Sequence, residues 1–212
     1  MLNVLARARV SRVLDPLGAR LAGTGLSADA VTVIGTTGAV TAAVGCFPRG
    51  WFLPGTLIIW FFVMFDMLDG AVARARGTAS RWGAFLDSTL DRVADAAVFG
   101  TLVWWFAFRG DSPPLALAAL LCLVLGTLTS YVKARAEGLG MTCNVGFAER
   151  TERLIIILVG TGLAGLGVPY ALAVALWLLA GASLITVVQR LAEVRRQAGA
   201  PTAPTAPAEG AG

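Results

Sequence analysis

Five aspartates, Asp66, Asp69, Asp87, Asp91 and Asp95, stand in the most apolar part of a chain that is 57% hydrophobic. A carboxylate in or near hydrocarbon is costly and is kept where it has a partner or a task. Residues three or four apart on a helix share a face, so Asp66 projects with Asp69 and Asp87 with Asp91. A helix hairpin can bring the two pairs face to face, and carboxylates so gathered repel one another unless cations sit between them. All-oxygen ligation suits hard ions, so Mg2+ is the expected metal, with Mn2+ as the alternative. Two ions fit four carboxylates better than one, and a two-ion site is a recurring device for in-line attack at phosphorus. There is no histidine, and the three cysteines, Cys46, Cys122 and Cys143, are scattered, so neither a zinc site nor a disulfide framework is indicated.

The residues around the aspartates fit this chemistry. Gly70 and Gly83 remove side chains where a ligand or a neighbouring helix must approach the backbone. Arg74, one turn past Gly70, is placed to pair with phosphate oxygens through its planar fork. The structural alternative, interhelical salt bridges to Arg74, Arg81 and Arg92, leaves too many acids on too few turns. Asp95 differs: it continues the Asp87/Asp91 face but lies deeper, where a structural hydrogen bond or ion pair is expected.

The elements that position these residues are expected to be membrane spans. The mean hydropathy is +0.75, and of 212 residues only 14% are charged, a composition far from that of a soluble domain. Six apolar stretches of roughly the length needed to cross a bilayer run over about 28–47, 51–73, 83–108, 113–135, 151–167 and 169–190. Basic residues alternate with the crossings. Arg74, Arg76 and Arg81 follow the second stretch, and Lys133, Arg135, Arg150 and Arg153 the fourth, while the opposite loops carry only Arg49 and Arg109. By the positive-inside rule this predicts an all-α integral membrane protein of six transmembrane helices in the cell membrane, with both termini and the aspartates cytoplasmic.

Residues 1–23 carry Arg7, Arg9, Arg12 and Arg20 and lack a continuous apolar run, so they are not read as a cleaved signal. They are expected to form a short interfacial amphipathic helix ahead of the spans, broken at Pro16. Ser27 is placed to cap the first span. The span domain is expected over 24–197 and a disordered Pro/Ala-rich tail over 198–212. No nucleic-acid partner is expected.

The spacing Asp66-x2-Asp69-Gly70-x2-Ala73-Arg74-x8-Gly83-x3-Asp87-x3-Asp91 resembles the signature of the CDP-alcohol phosphatidyltransferases, with every fixed position filled. The resemblance extends over the six-span layout, about residues 1–196. It implies transfer of a phosphatidyl group from CDP-diacylglycerol to an acceptor hydroxyl with loss of CMP, two divalent ions held by the aspartates, and a homodimer. On matching positions, Asp66 and Asp87 would bridge both ions, Asp69 would bind one, and Asp91 would bind the other and act as general base. With no histidine, a carboxylate at the reacting centre is the group in reach of the hydroxyl proton. Gly70, Arg74 and Ser80 match positions that contact the CDP moiety, and Asp29, Ala30, Val31 and Thr32 match a nucleotide-contacting segment.

A second basic set lies in "SYVKARAEGLGMTCNVGFAERTERL". Several cations at one cytoplasmic pocket suggest an acceptor that itself bears a phosphate. Charge alone leaves glycerol 3-phosphate and inositol phosphate open, hence a phosphatidylglycerophosphate synthase as the alternative within the family. A divalent-cation transporter is the alternative outside it; against it, the acids cluster toward the ends of two adjacent spans, not at the midplane of broken helices. The segment is similar to actinobacterial phosphatidylinositol phosphate synthases. That resemblance implies myo-inositol 1-phosphate as acceptor, held by Ser130, Lys133, Arg153 and Arg190.

Overall fold

The computed structural model describes residues 27–76 and 80–199, with the backbone alone for 66–76. The expected interfacial helix and the Pro/Ala-rich tail beyond Gly199 lie outside the described residues.

Each apolar stretch becomes a helix, and the described residues contain no strand. Helix α1 spans Ala28–Cys46, and its N-cap is Ser27, whose hydroxyl accepts from the Ala30 amide at 3.1 Å. A 3-10 turn over Phe47–Arg49 ends at Gly50 with φ 77°, a left-handed conformation that suits glycine. Helix α2 then spans Phe52–Arg76. Ser80 caps α3, Arg81–Phe108, by accepting from the Gly83 amide. Helix α4, Pro113–Gly138, opens on proline, which has no N–H to leave unsatisfied. Helices α5, Arg150–Gly165, and α6, Ala171–Ala198, complete the helices of the described residues.

Two boundaries differ from the sequence expectation. Helix α6 continues past residue 190 to Ala198, because Ala, Glu, Arg and Gln are good helix formers and no breaker intervenes before Gly199. The link between α2 and α3 shrinks to the few residues between Arg76 and Arg81, since both helices begin or end in well-tolerated residues.

Among the described residues three helical segments are long and apolar enough to cross a membrane: Ala28–Arg49, Pro113–Gly138 and Ala171–Ala198. The apolar part of α2 is shorter, Phe52–Phe65. Helix α3 carries Asp87, Asp91, Arg92 and Asp95 by its fifteenth residue of 28, and α5 has 16 residues with Arg150, Glu152 and Arg153 in its first turn. The polar residues that shorten these apolar runs are those of the candidate site.

The extensive helix contacts close a ring in the order α1, α3, α4, α6, α5, α2. Helix α1 therefore packs against both α2 and α3, the carriers of the aspartates. Phe47, Ile59, Val98, Phe99, Leu102, Ile157, Leu158, Leu176 and Leu179 form the core. The outside carries exposed Leu57, Phe61, Val159, Trp177, Leu178 and Val188, an apolar surface that fits lipid better than water. Near one end of the ring, Phe52 of α2 meets Trp105 of α3 edge-on, and Thr56 hydrogen bonds Thr161 of α5 at 2.7 Å. Cys46, Cys122 and Cys143 are free thiols.

Two stability measurements follow. Thr56 and Thr161 are both buried, and Thr161 also donates to Leu158 O at 3.1 Å, so Thr161→Val strands the Thr56 hydroxyl and costs about 1 kcal/mol, more than Thr56→Val. Thermal unfolding in detergent should show the double valine variant less destabilised than the sum of the singles. Separately, Ser80→Ala removes the α3 cap and should cost about 1 kcal/mol, while Ser80→Asp retains most of it.

Candidate active site

The N-terminal turn of α1 and the start of α3 meet first. A Cβ at Gly83 would lie 3.3 Å from Ser80 Oγ and 3.4 Å from Asp29 Oδ1. Glycine there allows the Asp29 carboxylate and the Ser80 hydroxyl to crowd the opening of α3, as the glycine's place in the motif suggests. Asp29 and Ala30 are half-buried; Val31 is fully enclosed, and Thr32 is buried with its hydroxyl donating to Ala28 O. Asp29, Ser80 and Gly83 are thus brought together.

Asp87 and Asp91 follow on α3, one turn apart and partly exposed. Asp66, Asp69, Gly70 and Arg74 lie on the C-terminal half of α2, and their side chains lie outside the described residues. The described residues alone assemble no cluster of three metal-ligating side chains. The donor chemistry still fits a hard divalent ion: the carboxylates that the described α3 offers are oxygen donors, and the chain contains no imidazole.

Past Asp91 the charges interlock. Arg150, in the first turn of α5, places Nη1 2.6 Å from Asp91 Oδ1 and Nε 3.8 Å from Asp95 Oδ1. Arg153 is 2% exposed; its Nη2 donates to Asp95 Oδ2 at 3.1 Å and its Nη1 to Ala148 O at 3.1 Å. Asp95 is therefore the ion-pair partner expected of it. Arg92 reaches across to α4, where it donates to the Ser130 hydroxyl, and its Nη2 lies 3.6 Å from Asp91 Oδ2. Pairing of this kind is what makes buried charge tolerable, since each carboxylate here faces a guanidinium.

These residues border a cavity of about 260 Å3 between α3, α4, α5 and α6. Ser130, Lys133, Arg153 and Arg190, four positions singled out in the sequence, all line it. Arg190 is 3% exposed, and its donors are largely committed: Nη1 to Thr129 O at 2.7 Å, Nε to Val145 O at 2.9 Å, and Nη2 toward Glu149 at 3.4 Å. It ties the loop between α4 and α5 to the cavity wall while contributing its charge from beneath.

Sequence reasoning named Arg92 only as a salt-bridge partner of the aspartates, which it is, and Arg150 only within the wider basic set; both line the same cavity. Arg92 follows Asp91 directly and so stands off the aspartate face of α3. Arg150 precedes the fifth apolar stretch and reads there as a topological flank. Among the described residues, the Nε–H groups of both are buried without a hydrogen-bond acceptor, unmet donor capacity at the edge of a pocket.

Comparison with known proteins agrees with this arrangement. The family model for CDP-alcohol phosphatidyltransferase matches residues 26–188. The phosphatidylinositol phosphate synthase of Mycobacterium tuberculosis is 49% identical over 202 residues, spanning 94% of this chain and 93% of its own. The crystal structure of that organism's phosphatidylinositol phosphate synthase with CDP-DAG bound matches with a TM-score of 0.82 at 50% identity, covering 86% of this chain and 94% of that one. The same enzyme in complex with manganese and citrate gives a TM-score of 0.84 at 48% identity, covering 90% of this chain and 93% of that one. A motif filled at every fixed position, a helical ring that brings α1 to the start of α3, and relatives at this similarity converge: the chain belongs to the CDP-alcohol phosphatidyltransferase family.

Proposed function

We propose that this protein is a membrane enzyme that moves the phosphatidyl group from CDP-diacylglycerol to myo-inositol 1-phosphate, giving phosphatidylinositol phosphate and CMP. The observation that carries this is the cationic cavity opening beside Asp91, with Arg150 reaching both the cavity and the aspartate. Relatives named phosphatidylinositol phosphate synthase, at nearly half identity over almost the whole chain, support the choice of acceptor.

The donor's headgroup would lie where α1 and α3 begin. Asp29, Ala30, Thr32 and Ser80, with Val31 packed behind them, and Gly70 and Arg74 from α2 form its surroundings. Next along α1, an apolar groove of about 560 Å3 is lined by Val33, Ile34, Gly38, Ala42, Ile58 and Phe62. A groove of that chemistry at the outer wall suits an acyl chain.

Asp66, Asp69, Asp87 and Asp91 would hold two Mg2+ or Mn2+ ions. When bound, such ions neutralise the pyrophosphate and steady the attacking and leaving oxygens. In the acceptor cavity, Lys133 and Arg153 with Ser130 hold the acceptor's phosphate by charge-assisted hydrogen bonds and Arg190 adds its charge from beneath, which leaves a ring hydroxyl toward Asp91. Asp91 accepts the hydroxyl proton as the oxygen forms its bond to the lipid-side phosphorus. The phosphorus–oxygen bond to CMP breaks, and CMP leaves with the bridging oxygen. Arg74 stabilises the charge that develops on it.

In this reading six membrane crossings would put this chemistry at the cytoplasmic face of the cell membrane, and the enzyme would act as a homodimer. The basic residues support that orientation: Lys133, Arg150 and Arg153 line the cavity beside Asp91, and Arg49 and Arg109 lie on other loops.

CMP release by purified protein in detergent, with CDP-diacylglycerol and Mg2+, tests the proposal against three acceptors. Myo-inositol 1-phosphate should support turnover, and glycerol 3-phosphate and free inositol should not; turnover with glycerol 3-phosphate alone would refute the acceptor. Asp91→Asn should lower kcat by about 10²–10⁴ while CDP-lipid binding is partly retained. A chelator should abolish turnover, and added Mg2+ or Mn2+ should restore it.

A further inference from the structure

Asp95 lies outside the family motif, one turn deeper in α3 than Asp91, about 6 Å along the helix axis. It is 7% exposed. Its carboxylate faces three guanidiniums: Arg153 Nη2 at 3.1 Å, Arg150 Nε at 3.8 Å and Arg92 Nη2 at 3.9 Å. Asp91 is assigned to the reaction, and the Glu149 carboxylate faces Arg190. Among the described residues, Asp95 is the carboxylate that lies within 4 Å of all three guanidiniums.

Arg153 is constrained from the other side as well. A Cβ built at Gly126 of α4 would lie 3.0 Å from Arg153 Nε and 3.3 Å from its Cζ. The guanidinium therefore rests in a notch so close to α4 that a Cβ at residue 126 would displace it by a few tenths of an ångström. Ala148 O holds Nη1 from the loop before α5. Carboxylate, notch and carbonyl together determine where one buried positive charge stands at the wall of the 260 Å3 cavity.

We propose that Asp95 is a positioning residue for the acceptor step, acting with the Gly126 notch to hold Arg153 where the acceptor's phosphate binds. The inference rests on the acceptor reading above. It assigns Asp95 no proton transfer and no ion ligation: its effect passes through Arg153, and through Arg150 and Arg92 to a lesser degree. Preorganised cations bind an anion without the cost of being gathered first.

The test uses the full chain in detergent and initial rates of CMP release. Wild type is first measured with the three acceptors: if no phosphate-bearing acceptor supports turnover, the acceptor reading falls, and this inference with it. With the working phosphorylated acceptor varied, Asp95→Asn should raise its KM about tenfold or more. The KM for CDP-diacylglycerol and the Mg2+ dependence should stay as in wild type. Gly126→Ala keeps every charge but fills the notch, and it should raise the same KM with the same selectivity. The double variant should be no worse than the worse single, since both act through one guanidinium. If Asp95→Asn fails to fold, Gly126→Ala decides the matter alone. An unchanged acceptor KM, or equal losses toward both substrates, in a folded variant would overturn the proposal.

Discussion

The ion-pair network on α3 and α5 is the constraint around which the rest of the molecule is arranged. A charge taken out of water is tolerated when an opposite charge and well-aimed hydrogen bonds replace the solvent. Asp91 and Asp95 on α3 receive Arg150 and Arg153 from α5, and Arg92 links the same cluster to Ser130 on α4. Arg190 adds α6 by binding carbonyls of α4 and of the following loop. Four helices are thereby tied at the level of the cavity. At the other end, apolar packing and single contacts such as Thr56–Thr161 hold the ring closed.

The division of labour along the chain follows from that constraint. Helices α1, α4 and α6, whose polar site residues stand toward one end, keep long apolar stretches. Helices α2, α3 and α5 interrupt theirs with acids and arginines. Each interruption lies where another helix or a ligand can answer it. In the proposed function, donor and acceptor would consequently be handled by different helices: the α1–α3 junction with α2 for the nucleotide lipid, and α3 with α4, α5 and α6 for the phosphorylated acceptor. Asp91 stands where the two regions meet, in contact with Arg150 of the second.

Glycine marks the points of close approach in both regions. Gly83 lets Asp29 and Ser80 crowd the start of α3, and Gly126 lets the Arg153 guanidinium lie against α4. The first belongs to a recognisable motif. The second is an isolated glycine in an apolar helix, and nothing near it in the chain distinguishes it from a lipid-facing one.

Much of this was legible in the sequence because its causes are local. Apolar length set six helices, Ser27 was identifiable as a cap, and helical spacing alone put Asp87 with Asp91 on one face. The motif named the donor chemistry, and the cations at the ends of α4, α5 and α6 marked Lys133, Arg153 and Arg190, which do share one cavity. What stayed hidden depends on which helices are neighbours. Arg92 and Arg150 looked like a residue off the aspartate face and a topological flank; they become site residues only because the ring sets α3 beside α4 and brings the start of α5 to Asp91. Asp95 was readable as a charge needing a partner, but not as the partner of Arg153, 58 residues away. Helix formation and capping are decided by neighbours in the chain, whereas the pairing of buried charges is decided by which surfaces the packed helices present to one another, and only the tertiary structure determines that.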